Sequence, residues 1–586
     1  MRDGVILRAD VWRPDDDEPH PVVLVRTPYN KQLADPPRPW LKFASNGYVV
    51  VVQDCRGRWA SDGDFVPFQD EIDDGYDIVE WIAAQEWCTG KIGMYGTSYL
   101  AATQWLAAAG APPHLTTIIP AFTASDYHDG WIYHSGALLH SFAIGWALPY
   151  ELGALERSSV PPERRPEVAA QIRSMLSDVR GTTSRFPLKD VPVFAENGLG
   201  SYYFEWLEHP DDGDYWRRWS IEEHHDRIEI PALAFGGWYD MFLRGTIRNF
   251  LGLCDDGNQR LVIGSWAHGR PLFGDNPDAS ISFGLAATSF DVEGLSLRWL
   301  NHWLKGEENG VLEDTPAVSY FTLGANRWES ASEWPPAAAT PVEYHLRASG
   351  GLSPEAPGAD EPAEVYVYDP RDPVPTHGGP AYGNGGARDQ RSIEERPDVL
   401  VYTSAGLEKD LKVTGPVTVT LWAATSARDT DFTAKLVDVY PDGLAMNLAD
   451  GIVRARYRND LCHQELVEPG RVYEYTIDLD ATSNVFKAGH RIRLEVSSSN
   501  WPRFDPNPNL RPESLLGFEA GATLSGYAAE RAGLTLQAVA FRHHLDDAVV
   551  RVTLPNRLFR RVNRDEIRST GIELLGGWRP AGPGGV

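Results

Sequence analysis

A five-residue turn, Gly96-Thr97-Ser98-Tyr99-Leu100, separates a strand-like stretch, Lys91 to Tyr95, from a helix-like one, Tyr99 to Ala109. A serine between a leading glycine and a small-residue helix is typical of a nucleophile elbow, a tight turn that exposes the hydroxyl at the top of a parallel sheet. The turn therefore predicts Ser98 as a nucleophile. The rest of the chain must then supply a base, an acid that orients it and donors for an oxyanion.

The sequence around this turn alternates strand and helix signals. Aliphatic runs at Pro21 to Val25 and Tyr48 to Val52 are typical of strands that are covered on both faces. Apolar residues at helical spacing between Ile72 and Ala83 follow acidic residues that favour a helix N-terminus. This alternation predicts an α/β fold with a doubly wound sheet.

The pattern changes twice further along the chain. From Ser125 to about Asp226 the strand runs disappear, and helical spacing predicts a mostly helical insertion that caps the active site. Strand signals then return, and a Pro/Ala-rich break at Pro335 to Pro341 precedes many short alternating segments, which are typical of a sandwich or jelly roll. We therefore predict an α/β-hydrolase domain in two parts, residues 1–127 and 226–335, a helical cap over residues 128–225 and a C-terminal jelly roll over residues 340–578.

Composition limits the partners of the chain. Its 586 residues carry 54 basic and 82 acidic side chains, a net charge of −28, which argues against nucleic acid and anionic membranes as partners. The four cysteines form no CxxC pair, so free thiols are expected rather than a disulfide framework. The sequence has no apolar run of membrane-spanning length and no secretory signal, which favours a cytoplasmic location. The oligomeric state stays open, a homodimer included.

Two further residues complete a candidate triad. Asp240 and His268 follow predicted strands at Pro231 to Phe235 and Arg260 to Ile263, and the order serine, acid, histidine is that of α/β-hydrolases. Parallel strands bring their carboxyl ends to one edge of a sheet, where open α/β sheets place their sites. The alternatives are that His268 is a core histidine with satisfied hydrogen bonds and that Asp240 caps the following helix.

The oxyanion donors are less well specified by pattern. One should be the backbone N–H of Tyr99, directly after the nucleophile. The other normally comes from the loop after an early strand, here Arg26 to Asn30, which lacks a glycine run but offers the hydroxyl of Tyr29; composition alone favours simple packing for that tyrosine. Two histidine pairs, His224-His225 and His543-His544, have no metal-binding spacing, so we expect no metal site and no cofactor.

Several of these motifs resemble those of a known family. The chain is similar to the bacterial cocaine esterases, within the serine hydrolases related to Xaa-Pro dipeptidyl peptidases and α-amino acid ester hydrolases. The resemblance spans nearly the whole chain and is carried by Arg26-Thr27-Pro28-Tyr29, Gln53-Asp54-Cys55-Arg56-Gly57, Ser61-Asp62-Gly63, Gly96 to Leu100, Gly237-Trp238-Tyr239-Asp240, Ser265-Trp266-Ala267-His268, Asp431 to Val439 and Ala481 to Phe486.

The resemblance implies the three-domain organisation predicted above and adds roles for four residues. It implies that Tyr29 is the second oxyanion donor, and that Trp146, Phe242 and the region around Tyr382 wall an acyl pocket. Four features depart from the family: Ala101 stands where a glycine is usual, the loop from Gly378 to Gly386 differs from cocaine esterase, the stretch Leu510 to Leu534 matches poorly, and the N-terminus begins inside what looks like the first strand, near Val5 to Trp12.

We therefore predict a serine esterase that acts on aromatic or small acyl esters. Within enzymes, the alternative is an Xaa-Pro dipeptidyl peptidase or an α-amino acid ester hydrolase. Either would need carboxylates near Ser98 to bind a free ammonium group, and the candidates are Asp126, Asp129, Asp211, Asp212 and Asp214. An alternative of another class is a binding protein with a vestigial hydrolase domain.

Overall fold

The structure of the protein is a computed structural model, which describes the chain apart from residues 33–40, 255–256, 269–280, 359–360, 384, 508–513, 530–531, 554–558 and 580–586. For Leu41 and for the strands beyond Asn507 it describes the backbone alone. The chain divides into two units, Met1–Asp369 with Pro373–Pro506, and Pro370–Asp372 with Asn507–Val586.

A nine-stranded sheet organises the first part of the chain. The strands up to Ala331 are β1 Ala9–Trp12, β2 His20–Thr27, β3 Val49–Asp54, β4 Cys88–Thr97, β5 Leu115–Ala121, β6 Tyr133–His134, β7 Ala137–Leu138, β8 Ala232–Tyr239, β9 Gln259–Ala267, β10 Val318–Thr322 and β11 Arg327–Ala331. The sheet has the order β1-β3-β2-β4-β5-β8-β9-β10-β11. Its edge strands β1 and β11 are antiparallel to their neighbours, and the seven strands between them are parallel.

The helices of the same region are α1 Leu41–Ser45, α2 Glu71–Ala83, α3 Tyr99–Ala109, α4 His140–Ala154, α5 Arg165–Ser177, α6 Val179–Thr183, α7 Pro192–Ala195, α8 Ser201–Glu208, α9 Asp214–Arg217, α10 Leu243–Leu253, α11 Leu285–Thr288, α12 Val292–Lys305 and α13 Val311–Asp314. Helices cover both faces of the sheet because alternate side chains of a strand point to opposite sides. Val22 and Leu24 of β2 belong to the core under α2 and α3. Val23 and Val25 belong to the core under α1 and α12.

A helical segment leaves and re-enters the sheet between neighbouring strands. β5 and β8 pair in parallel, with Ile118 opposite Ala232, and helices α4 to α9 lie between them in sequence. The segment is thus an insertion into an otherwise regular α/β pattern. The sheet remains continuous across the insertion because β5 and β8 pair directly. Its longest helix, α4, continues through Pro149 to Ala154.

Beyond Ala331 the chain is built mainly from strands. These elements are β12 His345–Arg347, β13 Gly351–Ser353, α14 Arg391–Glu394, β14 Leu400–Thr403, β15 Leu411–Ala423, β16 Asp431–Val439, β17 Ala445–Arg454, β18 Tyr473–Phe486 and β19 Arg491–Ser497. They form a six-stranded sheet, β12-β13-β14-β19-β16-β17, and a two-stranded one, β15-β18. In the second unit, β20 Ser514–Ala529, β21 Ala532–Thr553 and β22 Phe559–Arg579 form an antiparallel sheet.

The predicted fold class is confirmed at the level of an α/β-hydrolase-like domain and a C-terminal domain rich in strands. The cap, the jelly roll and the domain boundaries stay predictions. In the described part of the chain, no helix combines the length and the apolar character that a membrane span requires.

Candidate active site

The turn at Ser98 has a strained backbone. Ser98 has φ 62° and ψ −124°, a region that residues with a Cβ rarely occupy. The turn is held because the N–H of Ser98 donates to Ala121 O at 2.8 Å and Ser98 O accepts from the N–H of Ala101 at 2.8 Å. Gly96 has φ 151°, and a Cβ at that position would lie 2.5 Å from the Cβ of Leu100. The strand, the glycine and the helix together produce the tight turn that a nucleophile elbow requires.

Two side chains from neighbouring strands reach this turn. Asp240 directly follows β8 and His268 directly follows β9, which pairs with β8 in parallel. Ser98 Oγ lies 3.1 Å from His268 Nε2, and His268 Nδ1 lies 2.8 Å from Asp240 Oδ1. Asp240 is fully buried, and its Oδ2 makes no hydrogen bond to any residue that the structure describes. The three groups thus form one continuous line of hydrogen bonds that can pass a proton from Ser98 to His268.

The predicted oxyanion donors lie at the same edge of the sheet. Tyr29 follows β2, the parallel neighbour of β4, and its ring meets the ring of Tyr150 edge-on at 5.4 Å. Tyr99 opens α3 with its ring buried. Its hydroxyl donates to Glu71 Oε1 at 3.0 Å and accepts from the N–H of Phe68 at 2.9 Å.

The Tyr99 hydroxyl contacts a buried ion pair. Glu71 Oε2 lies 2.7 Å from Arg26 Nη1, and both side chains are nearly inaccessible. Burial raises the pKa of Glu71, and the guanidinium of Arg26 opposes that shift. Burial also raises the pKa of Tyr99 well above its usual value, so its hydroxyl stays protonated and can donate.

Aromatic side chains surround the histidine. The ring of Phe242 lies edge-on to His268 at 4.9 Å and stacks on Trp131 at 4.3 Å. Phe142 lies 5.4 Å from Phe242 and 5.4 Å from Tyr382, and so connects the two. Phe242 and Tyr382, which the resemblance implies for the pocket wall, therefore belong with Phe142 and Trp131 to one aromatic cluster.

Trp146 belongs to the same cluster. Its ring stacks on Tyr150 at 3.7 Å and on Tyr99, the residue after Ser98, at 6.0 Å. Hydrogen bonds and ring contacts, some through an intermediate ring, thus connect all eight predicted site residues. Rings of the cluster that the sequence did not single out include Trp131, Phe142, Tyr150 and Phe65, which stacks on Tyr150 at 5.6 Å. The spacing of Phe142, Trp146 and Tyr150, four residues apart on α4, is the signal that identifies two of them.

Four of the five acidic residues considered for ammonium binding have partners among the described residues. Asp129 pairs with Arg244 at 2.9 Å and Arg248 at 3.1 Å; burial alone would raise its pKa, but these two guanidinium groups hold it well below its usual range. Asp211 accepts from Tyr457 and Gln464, and Asp212 pairs with Arg217. Asp126 accepts from Ser220 and the N–H of His128, and Asp214 is exposed.

The chemistry of the described residues does not point to a metal. No group of three His, Cys, Asp or Glu side chains within the described residues is arranged to hold one. Of the two histidine pairs, His225 Nε2 lies 3.0 Å from Asn249 Oδ1, and the side chains of His543 and His544 lie outside the described part of the structure.

Comparison with known proteins places the chain among hydrolases. Residues 3–270 match the family model "X-Pro dipeptidyl-peptidase (S15 family)", and residues 309–534 match "X-Pro dipeptidyl-peptidase C-terminal non-catalytic domain". Cocaine esterase from Rhodococcus sp. (strain MB1 Bresler) is 40% identical over 87% of this chain and 91% of its own length.

Two solved structures resemble the fold over most of both chains. An aminopeptidase from the marine sediment archaeon Thaumarchaeota archaeon is 26% identical with a TM-score of 0.72, covering 87% of this chain and 89% of the other. An α-amino acid ester hydrolase is 24% identical with a TM-score of 0.70 and the same coverage of 87% and 89%, which supports the fold alone.

Proposed function

The chain belongs to the S15 family of serine hydrolases, together with cocaine esterase, and is an enzyme of the serine esterase type; we propose that it cleaves esters of aromatic or small acyl groups through a triad of Ser98, His268 and Asp240. The observation that carries this proposal is the continuous line of hydrogen bonds from Ser98 Oγ through His268 to Asp240 Oδ1, at 3.1 and 2.8 Å.

The proposed reaction has two steps. Ser98 Oγ attacks the ester carbonyl while His268 Nε2 takes its proton, and His268 then gives that proton to the departing alcohol. The second step repeats this sequence with water, which releases the acid and restores Ser98. Asp240 accepts from Nδ1–H, which keeps Nε2 free to act as the base and stabilises the imidazolium. These steps require no metal and no organic cofactor.

We assign the oxyanion to two donors. The backbone N–H of Tyr99 directly follows the nucleophile and points from the first turn of α3, where N–H groups have no helical partner. The hydroxyl of Tyr29 is the second donor, and the position of its loop beside the Ser98 turn at the edge of the sheet supports this role.

The aromatic cluster favours an uncharged acyl group. Trp146, Phe242 and Tyr382 would wall the acyl site with ring faces and edges, which suit a benzoyl-like or small apolar group. A peptidase that binds a free ammonium group needs a carboxylate that no cation occupies. Of the acids considered, Asp129 and Asp212 are paired with arginines and Asp214 is exposed, whereas Asp126 and Asp211 accept hydrogen bonds from neutral groups. The aminopeptidase among the structural relatives keeps that activity as the second candidate.

Two further segments of the chain contribute to the proposed acyl pocket. We assign residues 128–225 as a cap that closes the acyl pocket through α4, and residues 340–578 as a jelly roll that contributes Tyr382 to it. The ring contact between Phe142 of α4 and Tyr382, at 5.4 Å, supports the contribution of both segments to the pocket.

A substrate panel tests the proposal. The wild-type enzyme is assayed with p-nitrophenyl benzoate, p-nitrophenyl acetate, phenylalanine methyl ester and alanyl-proline p-nitroanilide. The proposal predicts the highest kcat/KM for the two neutral esters. A higher kcat/KM for the anilide or for the amino-acid ester would replace it with the second candidate.

A further inference from the structure

The peptide group that precedes Tyr29 is held at both of its polar atoms. The N–H of Tyr29 donates to Thr27 Oγ1 at 3.0 Å. The carbonyl of Pro28 accepts from Arg58 Nε at 3.0 Å and from the indole Nε1–H of Trp59, also at 3.0 Å. A carbonyl oxygen has two lone pairs, so both are used, and the plane of this peptide cannot rotate without losing hydrogen bonds.

Arg58 also reaches the aromatic cluster. Its Nη1 donates to Tyr150 O at 3.2 Å, and its guanidinium lies 4.8 Å from the ring centre of Tyr150 and 5.1 Å from that of Phe65. Tyr150 is the residue whose ring meets Tyr29 edge-on. Arg58 is 3% exposed. One buried side chain therefore contacts both the backbone before Tyr29 and the residue that packs against the Tyr29 ring.

The loop that carries Arg58 and Trp59 is itself fixed. Asp54, at the end of β3, accepts from the N–H of Lys31 at 2.7 Å and from the N–H of Ala60 at 3.1 Å, so one carboxylate connects the two loops. Trp59 has φ 47°, a region that costs energy for a residue with a side chain. Arg157 donates to Trp59 O at 2.6 Å and stabilises that conformation.

We propose that Arg58 and Trp59 are positioning residues that hold the Tyr29 hydroxyl in place as an oxyanion donor. The proposal rests on the role of Tyr29 in the proposed function. Neither residue touches the substrate; both act through the carbonyl of Pro28, one bond away from the nitrogen of Tyr29. An oxyanion donor works because it is already oriented before the charge develops, so the support of Tyr29 contributes to kcat rather than to KM.

A double-mutant cycle tests this inference. The variants are Trp59→Phe, which removes the indole donor and keeps an aromatic ring, Arg58→Met, Tyr29→Phe, and Trp59→Phe combined with Tyr29→Phe. Hydrolysis of p-nitrophenyl acetate is measured as kcat per active site, titrated by the acyl-enzyme burst. The matched control is Trp81→Phe, which changes a half-exposed tryptophan on α2 in the same way.

The expected result is non-additive. Tyr29→Phe should lower kcat about 100-fold, as removal of one oxyanion donor does. Trp59→Phe should lower kcat about threefold to tenfold at unchanged KM, because a small misplacement of a catalytic group is costly. In the Tyr29→Phe background, Trp59→Phe should have no further effect, and Trp81→Phe should leave kcat unchanged.

The results distinguish a failure of the positioning role from a failure of the donor assignment. If Trp59→Phe lowers kcat by the same factor with and without the Tyr29 hydroxyl, or if Trp59→Phe and Arg58→Met leave kcat unchanged, the positioning role is wrong. If Tyr29→Phe alone leaves kcat unchanged, the donor assignment in the proposed function is wrong as well, and the triad assignment stays unaffected.

Discussion

The hydroxyl of Tyr99 lies 3.0 Å from Oε1 of Glu71, so the residue that follows the nucleophile is anchored to a buried carboxylate on α2. Glu71 is in turn paired with Arg26 on β2. This connection ties the first residue of α3 to the neighbouring helix and to the sheet. The N–H of Tyr99, the proposed oxyanion donor, therefore belongs to a residue that is fixed at both its backbone and its side chain.

Removal of the Tyr99 hydroxyl should destabilise the protein. Tyr99→Phe leaves the N–H of Phe68 and Oε1 of Glu71 without a buried partner, which should cost about 1–3 kcal/mol of unfolding free energy. Urea unfolding followed by tryptophan fluorescence measures the difference. Tyr76→Phe is the control, because the Tyr76 hydroxyl makes no hydrogen bond within the described residues. Equal stability of the two variants would contradict the anchoring role.

The aromatic cluster should select the acyl group. Trp146→Leu removes the ring that stacks on Tyr150 and Tyr99, and we expect kcat/KM for p-nitrophenyl benzoate to fall about tenfold relative to p-nitrophenyl acetate, the effect of about 1.4 kcal/mol of lost ring contact. Trp81→Leu, a change on the outer side of α2, is the control and should leave the ratio unchanged. An equal loss for both esters would show that Trp146 does not contact the acyl group.

Asp240 should act by orienting His268. In Asp240→Asn the amide can present an N–H to Nδ1, which favours the tautomer with its proton on Nε2 and removes the base that faces Ser98. We expect kcat to fall about 10³- to 10⁴-fold with a normal thermal midpoint. Asp62→Asn, at a side chain that is 52% exposed, should retain activity. Loss of less than tenfold at Asp240 would assign it a structural role only.

A buried histidine should make the protein sensitive to acid. Burial, together with the neighbouring Arg244, lowers the pKa of His134 from 6.5 to about 3. The unfolded chain therefore binds one more proton than the folded chain between these values, and stability falls as the pH drops from 6.5 towards 3 by about 1.4 kcal/mol per pH unit for this group.

Replacement of that histidine tests the effect. His134→Gln keeps an acceptor for Arg244 Nη2, which lies 2.9 Å from His134 Nε2, but cannot take up a proton. Its unfolding free energy is measured by urea titration between pH 5 and pH 6.5. The slope of that free energy against pH should be smaller than in the wild type, by up to about 1.4 kcal/mol per pH unit. The same slope in both proteins would mean that His134 is not buried in its neutral form.

The sequence predicts the triad more completely than its surroundings. Ser98, Asp240 and His268 each follow a strand that pattern alone reveals, and parallel strands bring their ends to one edge, so their meeting needs no further information. The acyl wall depends on packing between distant elements, and pattern does not show that Trp131 stacks on Phe242. The pairing of Asp129 with Arg244, 115 residues apart, is likewise a tertiary contact that no local rule contains.

Packing accommodates two residues that are unusual at their positions. A proline inside a helix usually ends or bends it, yet α4 passes Pro149 because its apolar residues are buried on nearly every side. Ala101 takes the place of the usual family glycine, and the structure accepts its methyl group in a fully buried position.

The central claim is that Ser98 is the nucleophile, and the Ser98→Ala variant tests it most directly through the hydrolysis of p-nitrophenyl acetate and p-nitrophenyl benzoate. The exposed Ser45→Ala is the matched control, with wild-type rates expected. Ser98→Ala should fold normally and lose about 10⁴-fold or more of kcat with both esters, together with the burst of p-nitrophenol. Ester hydrolysis within tenfold of the wild-type rate in the folded variant would contradict the account.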